Sequence, residues 1–248
     1  PKPIVLTAPT NNYGAPVLKN SHIPILTTPV IKTVEAGPPK LIKTALCISG
    51  HLRTFEENYH TVNEHILQKM DCDVFIHTWD VLGLSHRGTD SNLHSIETSD
   101  LIDKIKLLYK PKKLVIEKSR TFELKPIMQQ RVIDHRDWGG ILSMFYKIEA
   151  CNNLKKEYEE ENNFKYDCVI RFRGDLWIGD DIPIDGFTNL NYLYLPLYGN
   201  FGGACDQFAF GNSSVMDKYS SLYSNLETYM YAGAPLHPER ILQYHIDA

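Results

Sequence analysis

The sequence predicts an α/β domain, a mainly parallel sheet with helices on both faces, over residues 41–248, with an extended arm at 1–40. Three observations lead there. Short apolar runs ending in turn residues recur from residue 44 onward. Segments with apolar residues at helical spacing lie between them. The composition, 43% hydrophobic and 23% charged over 248 residues, suits one large globular domain or two small ones. Strand and helix in alternation give a sheet covered on both faces.

Residues 1–40 stand apart. They carry eight of the fourteen prolines and no helical pattern, so they read as an arm or linker. The chain opens on Pro1 and not on Met, as a fragment or a processed product does. From residue 41 the alternation begins. "TALCISG" (44–50) is a strand ending in a turn. Thr54, Phe55, Glu56 and Glu57 form a capping-box pattern, and Phe55, Tyr59, Val62, Ile66 and Met70 follow at helical spacing. "CDVFIHTW" (72–79) is the second strand, and 81–98 a polar loop. A short helix over 99–111 stops at Pro111, and "KLVIEKS" (113–119) is a strand. Residues 121–137 read as loop. A long helix follows, with Ile141, Phe145, Ile148, Cys151 and Leu154 on one stripe. Strands are expected within 166–175, at 191–196 and at 206–211, a helix over 214–230, and a last helix opened by Pro238.

The formal net charge of −4 argues against a nucleic-acid binder, which carries a broad basic surface. No apolar run approaches the ~18 residues of a membrane span, and no signal peptide is visible. Five cysteines without a CxxC pair read as buried free thiols in a reducing compartment, so a cytoplasmic location is expected. Asn212, Ser213 and Ser214 fit a glycosylation sequon, of consequence only in a secreted chain. Phosphate-binding GxxxxGK[ST], esterase GxSxG and zinc-protease HExxH patterns are missing.

The chemistry concentrates at strand ends. "YDCVIRFRGDLWIGDD" (166–181) starts as a buried strand and then spaces Arg171, Arg173 and Asp175 by two, which puts them on one face. The first strand ends in Ser49 and Gly50, with His51 and Arg53 after them, and the second in His77, Thr78, Trp79 and Asp80. In parallel α/β sheets ligands bind beyond the carboxyl ends of the strands. The plainer reading of Arg171, Arg173 and Asp175 is a structural ion pair, and that of the other two ends a strand-to-helix turn and a capped strand end with a packed tryptophan.

"CISGHLRTF", "DVFIHTWD", "YDCVIRFRGDL" and "DQFAFGNSSVMDKY", in that order, resemble a group of glycosyltransferase-like proteins of bacteria and large DNA viruses with a GT-A, Rossmann-like nucleotide-binding fold. The resemblance covers residues 43–248. It implies transfer of a sugar from a nucleotide-diphosphate donor to a glycan or glycoprotein acceptor, in the host cytoplasm if the chain is viral. It also implies Mn²⁺ or Mg²⁺ held by an Asp-x-Asp motif, where this sequence has Arg173, Gly174 and Asp175. Asp175 is the expected metal ligand. Arg173 in place of the first aspartate faces the diphosphate directly. Ser49, Gly50, Arg53, His77, Trp79, Asp80, Arg171, Arg173 and Gln207 are the expected donor-binding residues, with the Trp79 indole stacking on a base. Asp206, in a glycine-rich stretch, or Glu239, in the first turn of the last helix, is the expected acceptor base. Two rivals stand beside this reading: a catalytically inactive nucleotide- or glycan-binding module of a larger protein, and a purely structural component that binds no nucleotide.

Overall fold

The computed structural model describes residues 42–83, 98–131, 138–182, 184 and 189–248. The expected arm at 1–40 and most of the loop at 81–98 lie outside the described residues.

Four parallel strands form the sheet: β1 (Lys43–Gly50), β2 (Asp71–Trp79), β3 (Lys113–Glu117) and β4 (Cys168–Arg173). A fifth, β5 (Phe208–Gly211), runs antiparallel to β4, and the order is β3-β2-β1-β4-β5. The helices are α1 (Phe55–Val62), α2 (Thr98–Tyr109), α3 (Pro126–Gln129), α4 (Trp138–Glu161), α5 (Ser213–Ser220), α6 (Leu222–Tyr231) and α7 (Pro238–Asp247). Helix α1 runs on into a π-helical turn, Asn63–Leu67.

Alternation along the strands sorts the core into two layers. Ala45, Cys47, Phe75, Val169 and Ala209 pack with Ile141, Phe145, Ile148 and Cys151 of α4 and with Met216, Leu222 and Leu226 beyond it. Leu46, Ile48, Val74, Ile76, Ile170 and Phe172 pack on the other face with Phe55, Val62, Ile66, Leu101 and Ile105. The expected helical stripe from Ile141 to Leu154 is buried throughout. The five cysteines are free thiols, four of them buried and Cys72 half-buried. Among the described residues, no helix is long and apolar enough to cross a membrane.

Four local expectations are corrected. Residues 191–196 make isolated bridges at Tyr194, antiparallel to Phe210, and at Pro196, and no strand. Pro196 has no N–H to continue a ladder, and the rings of Tyr194 and Phe210 stack at 4.8 Å. The helix expected over 214–230 breaks at Ser221, whose hydroxyl donates back to the Lys218 carbonyl at 2.8 Å. Within the segment read as loop, Pro126 opens α3, its fixed φ suiting a first helical position. Thr54 stands at the α1 N-cap but its side chain caps nothing, because its Oγ1 accepts from Asn58 Nδ2 at 3.1 Å.

Candidate functional site

The carboxyl ends of β1 to β4 share one edge. From β1 the chain moves outward to β2 and β3, then returns to place β4 on the other flank of β1. The switch point therefore lies between β1 and β4, the crevice where open α/β sheets hold ligands. In register, Ser49 lies beside both His77 and Arg173, and Cys47 beside Phe75 and Arg171. All of these side chains leave the sheet on the α4 side.

At the switch point two arginines converge on one carboxylate. Arg53 Nη1 donates to Asp175 Oδ2 at 2.7 Å, and Arg173 Nε to Asp175 Oδ1 at 2.5 Å. Backbone geometry sets this up. Arg53 adopts a left-handed φ of 45°, with its N–H donating to the Leu82 carbonyl at 2.8 Å. The turn after β4 closes through Leu176 N–H to the Arg173 carbonyl at 3.0 Å. Asn58 on α1 donates to the Asp175 carbonyl at 2.9 Å. Burial alone would raise the Asp175 carboxyl, but Arg173 and Arg53 outweigh it and hold it below its ordinary value. Gly50, at φ 98°, is conformationally required, and the space where its Cβ would stand is open.

Asp206 joins this cluster. It is 5% exposed, and burial pushes its carboxyl up, partly opposed by Arg171 and Arg173. Its neighbour Gln207 accepts the Arg173 N–H through its carbonyl at 3.0 Å, which extends the β4–β5 pairing to the site. Glu239 is placed differently. It is buried at the start of α7, with Oε2 3.1 Å from His237 Nδ1, and its carbonyl accepts the Ala204 N–H at 2.8 Å. Its backbone thus seats the loop that carries Asp206. Arg171 is 2% exposed, and burial lowers its pKa against the pull of Tyr219 and Asp206.

The β2 end is built otherwise than expected. Trp79 is 1% exposed, one face stacked near Tyr146 at 6.0 Å and its Nε1 donating to Ser143 Oγ at 3.0 Å. A ring enclosed in this way has no face for a base, so the stacking role is corrected: α4 covers the strand end. Asp80 Oδ1 accepts the Ser119 N–H at 2.7 Å, tying β2 to the segment after β3. His77 faces Lys147 of α4, whose Nζ lies 3.1 Å from its Nδ1. Burial, then the lysine charge, brings the imidazole down to about 4, so it is neutral near pH 7 and its Nδ1 accepts.

Lys147 escaped the sequence reading. Fully buried, it donates to Glu117 Oε2 at 2.7 Å and to the Thr78 carbonyl at 2.8 Å, with Nζ 3.4 Å from the centre of the Trp79 ring. The one signal was a lysine amid the buried stripe of α4. Burial pulls its ammonium from 10.5 to about 8, against the hydrogen bond it donates to Glu117. Between those values the unfolded chain binds more protons than the folded one, so this group makes folding more favourable as pH rises from about 8. Lys147→Met is expected to remove that slope. The melting-temperature difference, wild type minus variant, should become more positive from about pH 7.5 to about pH 9, as thermal melts would read.

The arrangement can grip an anion. Arg53, Arg171 and Arg173 outnumber Asp175 and Asp206 by one charge, and Arg173 keeps Nη1 and Nη2 beyond its bond to Asp175. It does not suit Mn²⁺ or Mg²⁺ as it stands. Such a cation takes several oxygen donors, whereas both Asp175 oxygens are engaged by arginine. Among the described residues, no group of three or more His, Cys, Asp or Glu is placed to hold a metal. A cleft of about 610 Å³ lies elsewhere, between α5 and α7, lined by Val215, Tyr219 and His245.

No curated protein matches the chain. Residues 40–235 match the model of a family described as a domain of unknown function, DUF7796. That match spans well over half of the sequence and contains every strand of the sheet, and the chain belongs to the DUF7796 family.

Proposed function

We propose that this protein is a glycosyltransferase of GT-A type, moving a sugar from a nucleotide-diphosphate donor to a glycan or protein acceptor. The observation that carries this reading is the pair of arginines gathered on Asp175 at the β1–β4 switch point, beside the open space at Gly50. The sheet order supports it, since that crevice is where nucleotides bind in such folds.

The chemistry follows from the charges. The diphosphate lies against the outward N–H groups of Arg173 and Arg53, which Asp175 holds in place. An acceptor hydroxyl attacks the anomeric carbon, the bond from that carbon to the diphosphate oxygen breaks, and the nucleoside diphosphate leaves with the electron pair. Arg53 and Arg173 stabilise the charge that develops on it, the role a divalent cation otherwise fills. Asp206 takes the hydroxyl proton, its raised pKa bringing it closer to working pH. No step is routed through a metal.

The test is release of nucleoside diphosphate from a panel of nucleotide-sugars with saccharide acceptors, with Mn²⁺ and with a chelator. Arg173→Ala is expected to lower turnover roughly 10²–10³-fold, the usual cost of removing one preorganised charge stabiliser. Release that persists in the chelator supports the arginines as the diphosphate clamp, and no release from any donor contradicts transfer. The engagement of both Asp175 oxygens favours a second reading, a nucleotide-binding module without turnover. It predicts tight donor binding with no product.

A further inference from the structure

The arginine pair at the rim leaves the third arginine unexplained. Arg171 is 2% exposed, and Nε, Nη1 and Nη2 are all buried without a hydrogen-bond partner among the described residues. A guanidinium presents five donors, and burying that charge unpaired is costly. Two further donors share the condition. Tyr219 Oη on α5 and Ser49 Oγ on β1 are buried with no partner, on residues 3% and 1% exposed. Arg171 feels the charges of Tyr219, Asp206 and Arg173, so these groups occupy one neighbourhood. Buried polar groups in folded proteins are as a rule satisfied, and two unsatisfied donors beside one unpaired cation mark the place of an acceptor.

We propose that Arg171, Tyr219 and Ser49 line an interior oxyanion site beneath the Arg53–Arg173 pair, taking a phosphate-class group. An oxyanion matches the inventory: several acceptor lone pairs for donors that lack them, and negative charge for a buried cation. Asp206 does not fill this role, because no hydrogen bond or ion pair joins it to Arg171. The site shares its edge with the proposed donor clamp, and it stands whether or not sugar transfer occurs.

The experiment is a thermal-shift and calorimetric titration of the full chain with inorganic phosphate, and separately with nucleoside diphosphates, at constant ionic strength. Wild type is expected to show a saturating rise in melting temperature with phosphate. Arg171→Met should lose that saturating response and melt no lower than wild type without phosphate, since an apolar side chain replaces an unpaired buried charge. Any residual linear rise in that variant measures the general stabilising effect of phosphate salts. The double variant Arg53→Ala, Arg173→Ala should keep the response, which separates this site from the donor clamp. Tyr219→Phe, which deletes one oxygen, should weaken phosphate binding about tenfold and serves if Arg171→Met fails to fold. A response to nucleoside diphosphate alone that needs Arg171 assigns the site to the donor's own phosphate. No saturating response in wild type to either probe, or one that Arg171→Met and Tyr219→Phe leave intact, overturns the proposal.

Discussion

Asp206→Asn is expected to lower sugar transfer by roughly 10²–10⁴-fold, the usual contribution of a positioned general base, and to raise the melting temperature near neutral pH. The two effects have one cause. Burial pushes the Asp206 carboxyl up even though Arg171 and Arg173 pull the other way, so its ionised form is less favourable in the folded protein than in the unfolded chain. A group with a raised folded pKa contributes stability that is fully present below its unfolded pKa and is lost as pH rises through the folded value. At neutral pH the ionised form therefore costs stability, and the neutral amide relieves that cost at nearly unchanged shape. Below about pH 4 the wild-type carboxyl is protonated, and the two proteins should melt alike. Turnover assays and melts over pH read both halves. A residue placed here only to pair with arginine would give the opposite sign in stability.

Gly203→Ala carries the largest expected structural effect. A Cβ at this position would stand 2.1 Å from the Glu239 carbonyl oxygen and 2.6 Å from the Arg240 nitrogen. These are backbone atoms at the start of α7, held by the Ala204 N–H bond to the same carbonyl, and neither can swing aside. The helix must move off the loop or the loop off the helix. A loss of about 3 kcal/mol or more is expected, at the upper end of overpacking effects, measurable by denaturant unfolding. Because that loop carries Asp206, transfer should fall with it, whereas Gly202→Ala at the neighbouring position meets only the flexible Arg240 side chain, at 3.5 Å, and should cost only the smaller strain of its left-handed φ of 82°.

Much of the fold was legible because parallel buried strands write themselves as continuous apolar runs. β1, β2, β3 and β4 all fall where such runs end in turn residues. Residues 191–196 look similar but form only isolated bridges at Tyr194 and Pro196, since alternation there reflects packing on Phe210 and not a ladder. The break at Ser221 was hidden because apolar spacing continues across it, and only a side-chain hydroxyl competing for the Lys218 carbonyl marks the end of α5.

The site divides along the same line. Arg53, Arg171, Arg173, Asp175 and Asp206 stood out as charges at the ends of apolar runs, and the structure brings them together at one strand edge. Groups supplied by helices were not visible in this way. Whether Lys147 reaches Glu117 and His77, or the Tyr219 hydroxyl turns toward Arg171, depends on how α4 and α5 lie across the sheet. Trp79 misled for the same reason. A strand-end indole looks available until α4 supplies Ser143 and Tyr146 to enclose it.

The measurement that bears most directly on the central claim is calorimetric binding of nucleoside diphosphates in the presence of a chelator, to wild type and to the double variant Arg53→Ala, Arg173→Ala. The arginine clamp predicts saturable binding of one nucleoside diphosphate without metal, and its loss in the double variant while that variant still melts cooperatively. Absence of binding for every nucleoside diphosphate with or without Mn²⁺, or binding that survives removal of both arginines, would contradict it.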